Sequence, residues 1–150
     1  MNTKMKAKLL FVILSFFFLN CEKSDVAALG VIQGKVTVGP LCGTVPAGLD
    51  PNRDNPCGLS DADLNAIYGD YKVVVSPTIS SDKVTAKEKV LDKSGAFVFE
   101  IPTGEYRVQV LKKDGSAIVA ASEKNILTKT INLSQNQVVE VSLYVEKTIK

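Results

Sequence analysis

Residues 95–110 read GAFVFEIPTGEYRVQV, and this stretch constrains the fold more than any other. Phe97, Phe99 and Ile101 alternate with Val98 and Glu100; beyond Pro102-Thr103-Gly104, Tyr106, Val108 and Val110 alternate with Arg107, Gln109 and Leu111. A period of two places each apolar set on one side of a pleated strand, whereas a helix would scatter it around its axis. The segment therefore predicts two half-buried strands joined as a hairpin. Gly95 and Gly104 supply unusual torsions and Pro102 pre-sets one. Tyr106 puts an aromatic body in the core, with its hydroxyl placed to bond backbone near the turn, as in a tyrosine corner.

The same period recurs along the chain. Ile32, Gly34, Val36 and Val38 share one face of a first strand that stops at Gly39-Pro40. Tyr71 to Val75 forms another, halted near Pro77, and Val84 to Leu91 a polar strand suited to a sheet edge. Asp92-Lys93-Ser94-Gly95 reads as a hairpin turn, as does the Asp-Gly of Lys113-Asp114-Gly115. Ile118 to Ala121, Thr130 to Leu133, and Val139 to Val145 complete the set. Seven or eight short strands separated by turn signals predict an all-β Greek-key sandwich over residues 30–147. Between the first two strands lies LCGTVPAGLDPNRDNPCGLSDADLNAIYGD, a long loop rich in Pro, Gly, Asn and Asp. Inside it, Ser60 followed by Asp61 and Asp63 predicts an N-cap and a short helix ending at Gly69.

Composition removes whole classes of function. The 150 residues contain no histidine, and with it go the commonest general base, the commonest metal ligand and every Ser-His-Asp or Cys-His arrangement. The formal charge of +2 belongs to the first twenty residues, which hold three of the 18 basic residues and none of the 16 acidic ones. What remains is nearly neutral, without the clustered Lys and Arg that nucleic acid would require. No enzyme, cofactor or nucleic-acid partner is expected.

The first twenty residues have their own logic. Lys4, Lys6 and Lys8 precede an oily run from Leu9 to Leu19, which has the length of a signal-peptide core and is too short to span a bilayer. The run ends in Phe18-Leu19-Asn20-Cys21, which resembles a relaxed form of the lipobox of bacterial lipoproteins; the usual motif has Leu in place of Phe18 and a small residue in place of Asn20. The resemblance implies a signal peptide at 1–20, an acylated Cys21 and a lipidated tether at 21–29. It also implies a chain held in the bacterial cell envelope, at the outer membrane. Two or three acyl chains hold a protein to a membrane where one barely does. A plain signal peptide or short anchor that happens to contain a cysteine is the alternative.

The pattern G-x-F-x-F-x-I-P-x-G-x-Y-x-V-x-V resembles the central hairpin of carboxypeptidase-regulatory-like, or transthyretin-like, β-sandwich domains. GKVTVGPLCGTV and NPCG upstream are similar to a subset of bacterial members. The resemblance covers roughly residues 31–111. It implies a binding, stalk or accessory module, and fold alone does not choose among these.

Three sets of residues remain as candidates. Cys42 and Cys57, an even pair in an exported chain, favour a disulfide closing about 15 residues, worth ~3 kcal/mol in the chain-entropy model; free thiols or a metal pair are the alternatives, and further metal ligands are missing. Asp50, Asn52, Asp54 and Asp61 have some of the spacing of a calcium loop, but Pro51 sits inside it and Asn55 stands where glycine is usual. Turn-forming residues of a surface loop explain the same letters. Lys35, Glu100 and Asn132 could be cast as an isopeptide set, although Lys35 and Glu100 fall on the outward phase. The functional expectation is a non-catalytic module that contacts an envelope protein, a glycan or a host protein. The alternative is a small-ligand or calcium-dependent module using the 42–70 loop.

Overall fold

The computed structural model describes residues 28–50, 55–79, 84–119 and 126–147. Residues 1–20, Cys21, Asn52 and Asp54 lie outside the described residues. Among the described residues seven strands and one helix follow one another: β1 (Leu29–Gly39), α1 (Asp61–Gly69), β2 (Tyr71–Pro77), β3 (Lys87–Val90), β4 (Ala96–Pro102), β5 (Gly104–Lys112), β6 (Thr128–Leu133) and β7 (Val138–Glu146). They make a three-stranded sheet, β4-β1-β7, and a four-stranded sheet, β3-β2-β5-β6. The expected all-β sandwich is the observed fold.

The alternating residues do what their period requires. Ile32, Val36 and Val38 of β1, Phe97, Phe99 and Ile101 of β4, and Val141, Leu143 and Val145 of β7 form one wall of the core. Val73 and Val75, Tyr106, Val108 and Val110, and Ile131 and Leu133 form the other. Each such side chain contributes about 1.5–3 kcal/mol by leaving water. Among the described residues no polar or charged side chain other than tyrosine is buried. Gly34 leaves no room for a side chain: a Cβ there would lie 1.8 Å from the Val141 carbonyl oxygen and 2.8 Å from the Phe97 ring.

Two expected hairpins are corrected. β4 and β5 belong to different sheets, so Pro102–Gly104 is a corner between sheets. The reason is that both sides of β5 are occupied, by β2 and by β6, while β4 pairs with β1 from Leu29↔Pro102 to Lys35↔Ala96. Their apolar rows meet face to face across the core instead of lying side by side. Asp92–Gly95 is a tight turn, with the Gly95 N–H donating to the Asp92 carbonyl at 2.9 Å, yet it too crosses between sheets, from β3 to β4. Lys113–Gly115 turns the chain at the end of β5, but residues 116–119 carry no strand, and 120–121 lie outside the described residues. The expected strand from Val84 shrinks to Lys87–Val90, and it is an edge strand as its polarity suggests.

Both flanks of the sandwich are stitched. Lys87 and Lys89 occupy the inward phase of edge strand β3 and reach across to edge strand β4, donating to the carbonyls of Glu100 (2.8 Å) and Ala96 (3.1 Å). Inward lysines on an edge block pairing with foreign strands. On the other flank Ile126 and Tyr144 exchange backbone hydrogen bonds of 2.9 and 3.0 Å.

Register fixes the two ends. β1 and β7 run parallel, β4 opposes them, and β5 leaves the corner in the direction of β1. Ala28 and the Pro102–Gly104 corner therefore share one end, tied by the Thr103 N–H donating to the Ala28 carbonyl at 2.9 Å. Gly39, the long loop, α1 and the 92–95 turn share the other. At about 3.3 Å per residue, β1 sets them roughly 33 Å apart.

Candidate functional site: the loop end

β1 ends at the cis Gly39–Pro40 peptide. Leu41 then packs against the core, and Cys42 is disulfide-bonded to Cys57, with Cα atoms 5.8 Å apart. The expected disulfide is present. Asn55 locks the far side of the loop: its side-chain amide donates to the Leu59 carbonyl at 2.7 Å, and its Oδ1 accepts from the Leu59 N–H at 3.0 Å.

The predicted helix follows at once. Ser60 caps it, accepting from the Asp63 N–H at 3.2 Å, while the Asp63 carboxylate accepts back from the Ser60 N–H at 3.3 Å. This reciprocal box satisfies two donors that the first turn would otherwise leave unpaired. Leu64 and Tyr68 are the residues α1 buries. Tyr68 is the pivot of this end, its hydroxyl accepting from the Val38 N–H at 3.4 Å. Its ring lies where a Cβ on Gly95 would come within 2.8 Å. Lys93 fastens the helix to the 92–95 turn: its N–H donates to Asn65 Oδ1 at 2.9 Å, and its ammonium pairs with Asp61.

A cleft of about 310 Å³ opens between the loop and the outer face of the three-stranded sheet. Pro40, Leu41 and Pro56 form one side, Lys35, Thr37 and Tyr144 the other, and Tyr68 the back. Gly39 lies on its floor, where a Cβ would stand in ordinary contact with the Tyr144 hydroxyl at 3.4 Å. A second, shallower hollow of about 460 Å³ lies beside Asp70, Tyr71 and Lys112–Asp114.

The electrostatics are those of turns and half-buried phenols. Asp92 and Asp114 are held below the usual carboxylate range, chiefly by hydrogen bonds from the side chain and backbone of Ser94 and of Ser116. Burial, and then the nearby Asp70 carboxylate, pushes the Tyr71 phenol up. Burial does the same to Tyr106, whose hydroxyl donates to the Pro102 carbonyl at 2.8 Å, the expected tyrosine corner.

The candidate sets fare differently. Asp61 opens α1 and is engaged by Lys93, Asp50 lies in the loop, and Asn52 and Asp54 lie outside the described residues. Among the described residues no group of three or more acidic, cysteine or histidine side chains gathers as a metal site. Lys35 and Glu100 are exposed on the three-stranded sheet and Asn132 on the four-stranded one, so the isopeptide set is not assembled. Tyr68 and Tyr144 went unread in the sequence, and Lys93 was read only as a turn residue. The outward phase of Tyr144, between buried Leu143 and Val145, is the one signal that could have found any of them.

No family model matches the chain, and no curated protein matches it. Two among the solved structures that resemble it show the extent of the likeness. One is a DUF3823 family protein from Parabacteroides merdae, 19% identical with a TM-score of 0.43, the match covering 79% of this chain and 46% of that one. The other is GBS52, the minor pilin of the Gram-positive pathogen Streptococcus agalactiae, 11% identical with a TM-score of 0.44, covering 83% and 47%. The chain spans about half the length of each. Neither activity nor partner transfers at this level of similarity.

Proposed function

We propose that this chain is a lipoprotein of a bacterial cell envelope, anchored through Cys21 and carried at the outer membrane. Its carboxypeptidase-regulatory-like sandwich serves as a non-catalytic binding or structural module, and the 42–70 loop is its contact surface. The observation that supports this reading is where the loop sits. It occupies the end of the sandwich opposite Ala28, so a domain tethered at Cys21 holds out its disulfide-closed loop and capped helix. Long ordered insertions in compact domains are more often functional than idle. The partner is an envelope protein, a glycan or a host protein.

The test replaces residues 43–54 with a Gly/Ser segment of equal length, keeping Cys42, Asn55, Cys57 and α1. The intact lipoprotein and the variant are then captured side by side from the native envelope. An unchanged melting curve together with loss of a specific partner is the expected result. A partner retained by a well-folded variant would move the contact surface elsewhere.

A further inference from the structure

The corner end differs in chemistry from the loop end. Its tip consists of Thr78 and Ile79 after β2, the Pro102–Gly104 corner and the Ser134–Gln137 turn, with Leu29 and Val138 where β1 and β7 begin. Ile79 is 75% exposed, Val138 56% and Leu29 39%. A cleft of about 230 Å³ runs between Ile79 and Val84 on one side and Thr103 to Tyr106 on the other. The described polar residues of the tip are uncharged apart from Glu105, which lines the cleft; Asp82 and Lys83, between Ile79 and Val84 in the sequence, lie outside the described residues. Glu100, Glu105 and Arg107 stand on the outer faces of the sheets, and Lys87 on the flank is turned toward the Glu100 carbonyl. The loop end also exposes Val90, Val119 and Ile126, but it carries Asp61, Asp70, Asp92, Lys93, Lys113 and Asp114.

We infer that the corner end rests on the lipid surface, with Ile79, Leu29 and Val138 seated among the headgroups. This builds on the anchoring of Cys21. Residues 22–28 separate that cysteine from β1. Seven steps of at most ~3.6 Å reach about 25 Å, and the last is fixed, because Ala28 is bonded to Thr103. The loop end lies farther from Ala28 than that, roughly 33 Å by the strand rise. The tether is therefore too short to turn the charged end toward the membrane, and only the corner tip or a flank can touch it. So short a leash also gives the tip a high local concentration of lipid, so a contact too weak for a free domain is held. Ile79, Leu29 and Val138 themselves enter headgroups without stripping water from a charge.

The chain contains no tryptophan, so single substitutions give clean reporters. The acylated full-length product, bearing Ile79→Trp at the tip, Val98→Trp on a sheet face or Lys113→Trp at the loop end, is reconstituted into phosphatidylcholine vesicles with and without brominated acyl chains. Val138→Trp provides a second tip reporter should Ile79→Trp lower the melting temperature. The tip reporters are expected to shift to the blue and to be quenched several-fold by bromine, with Val98→Trp and Lys113→Trp unmoved. Tip reporters left unquenched on an acylated protein overturn the inference and leave the anchor standing, as does equal or stronger quenching of Val98→Trp. A blue shift in the lipid-free 22–150 form that grows with protein concentration overturns it in favour of a protein contact. A mass spectrum showing Cys21 unmodified sinks both readings.

Discussion

At the corner end the chain passes from one sheet to the other through Pro102, Thr103 and Gly104, and a single phenol holds the passage, with Tyr106 buried in the core and bonded four residues back to Pro102. At the loop end the chain takes residues 40–70 to make a comparable passage, from β1 to β2. There the means are local: a disulfide, a reciprocal Asn55–Leu59 pair, a capping box and the Lys93 contacts to Asp61 and Asn65. One end is held by what it contributes to the shared core, the other by crosslinks within itself. Damage at the corner should therefore loosen both sheets together, whereas damage at the loop should remain near Tyr68.

The largest expected effect is that of Tyr106→Ala, which removes a fully buried aromatic side chain and should cost ~3–5 kcal/mol, read as a fall in the denaturant midpoint. If it costs less than opening the disulfide, the contrast between the ends breaks. Replacing Cys42 and Cys57 together by alanine should cost up to about 3 kcal/mol for a closed loop of this length. Its signature is hydrogen exchange that quickens more over residues 41–69 than in the strands, and uniform quickening would count against a self-contained loop end. Gly95→Ala comes next. Gly95 has φ of 63°, and a Cβ there would lie 2.1 Å from the Val36 carbonyl, so ~1–3 kcal/mol is expected.

Smaller effects sharpen the comparison. Ser60→Ala should cost about 1 kcal/mol through the lost cap, and Tyr106→Phe about the same through the lost hydrogen bond. The pH dependence separates the two further. Tyr106 has a folded pKa above its unfolded value near 10, so its contribution is whole below that pH and is lost as the pH rises through the folded value. Tyr106→Phe should flatten the alkaline limb of a stability–pH curve. Asp92 and Asp114 have lowered folded values, so their contribution is whole above about pH 4 and is lost as the pH falls through those values. Both are exposed, and the acid limb they produce should be the smallest effect of all.

Much of this was legible in the letters. Alternation marked the inward residues of β4, β5 and β7 and those of β1 from Ile32 on; Ser60 and Asp63 announced the helix cap; and Tyr106 announced its own hydrogen bond. Connectivity was less legible, because a period of two says which side chains share a face and not whether the next strand lies beside it or opposite. Phe99 and Tyr106 flank a three-residue turn that suits a hairpin and a corner equally well. Only the occupation of both sides of β5 by strands distant in sequence decides the matter. The lysine stitches were hidden for a related reason: Lys87-Glu88-Lys89-Val90 reads as polar on both faces, and its inward phase acquires meaning only from the carbonyls of β4. At the loop end the cysteines were readable, whereas the cleft under Tyr144 depends on Gly39 and Pro56 arriving from different directions.

The parallel pairing of β1 with β7 carries a mechanical consequence. The register holds from Val31↔Val138 to Gly39↔Glu146, and the chain leaves these strands at opposite poles, Ala28 at one and Lys147 at the other. A pull that separates those poles drags the two strands past each other lengthwise, so every rung of the ladder shares the load at once. Peeling would break the rungs singly, at far lower force. The body should therefore resist extension between those two poles better than it resists peeling of β7 from β1.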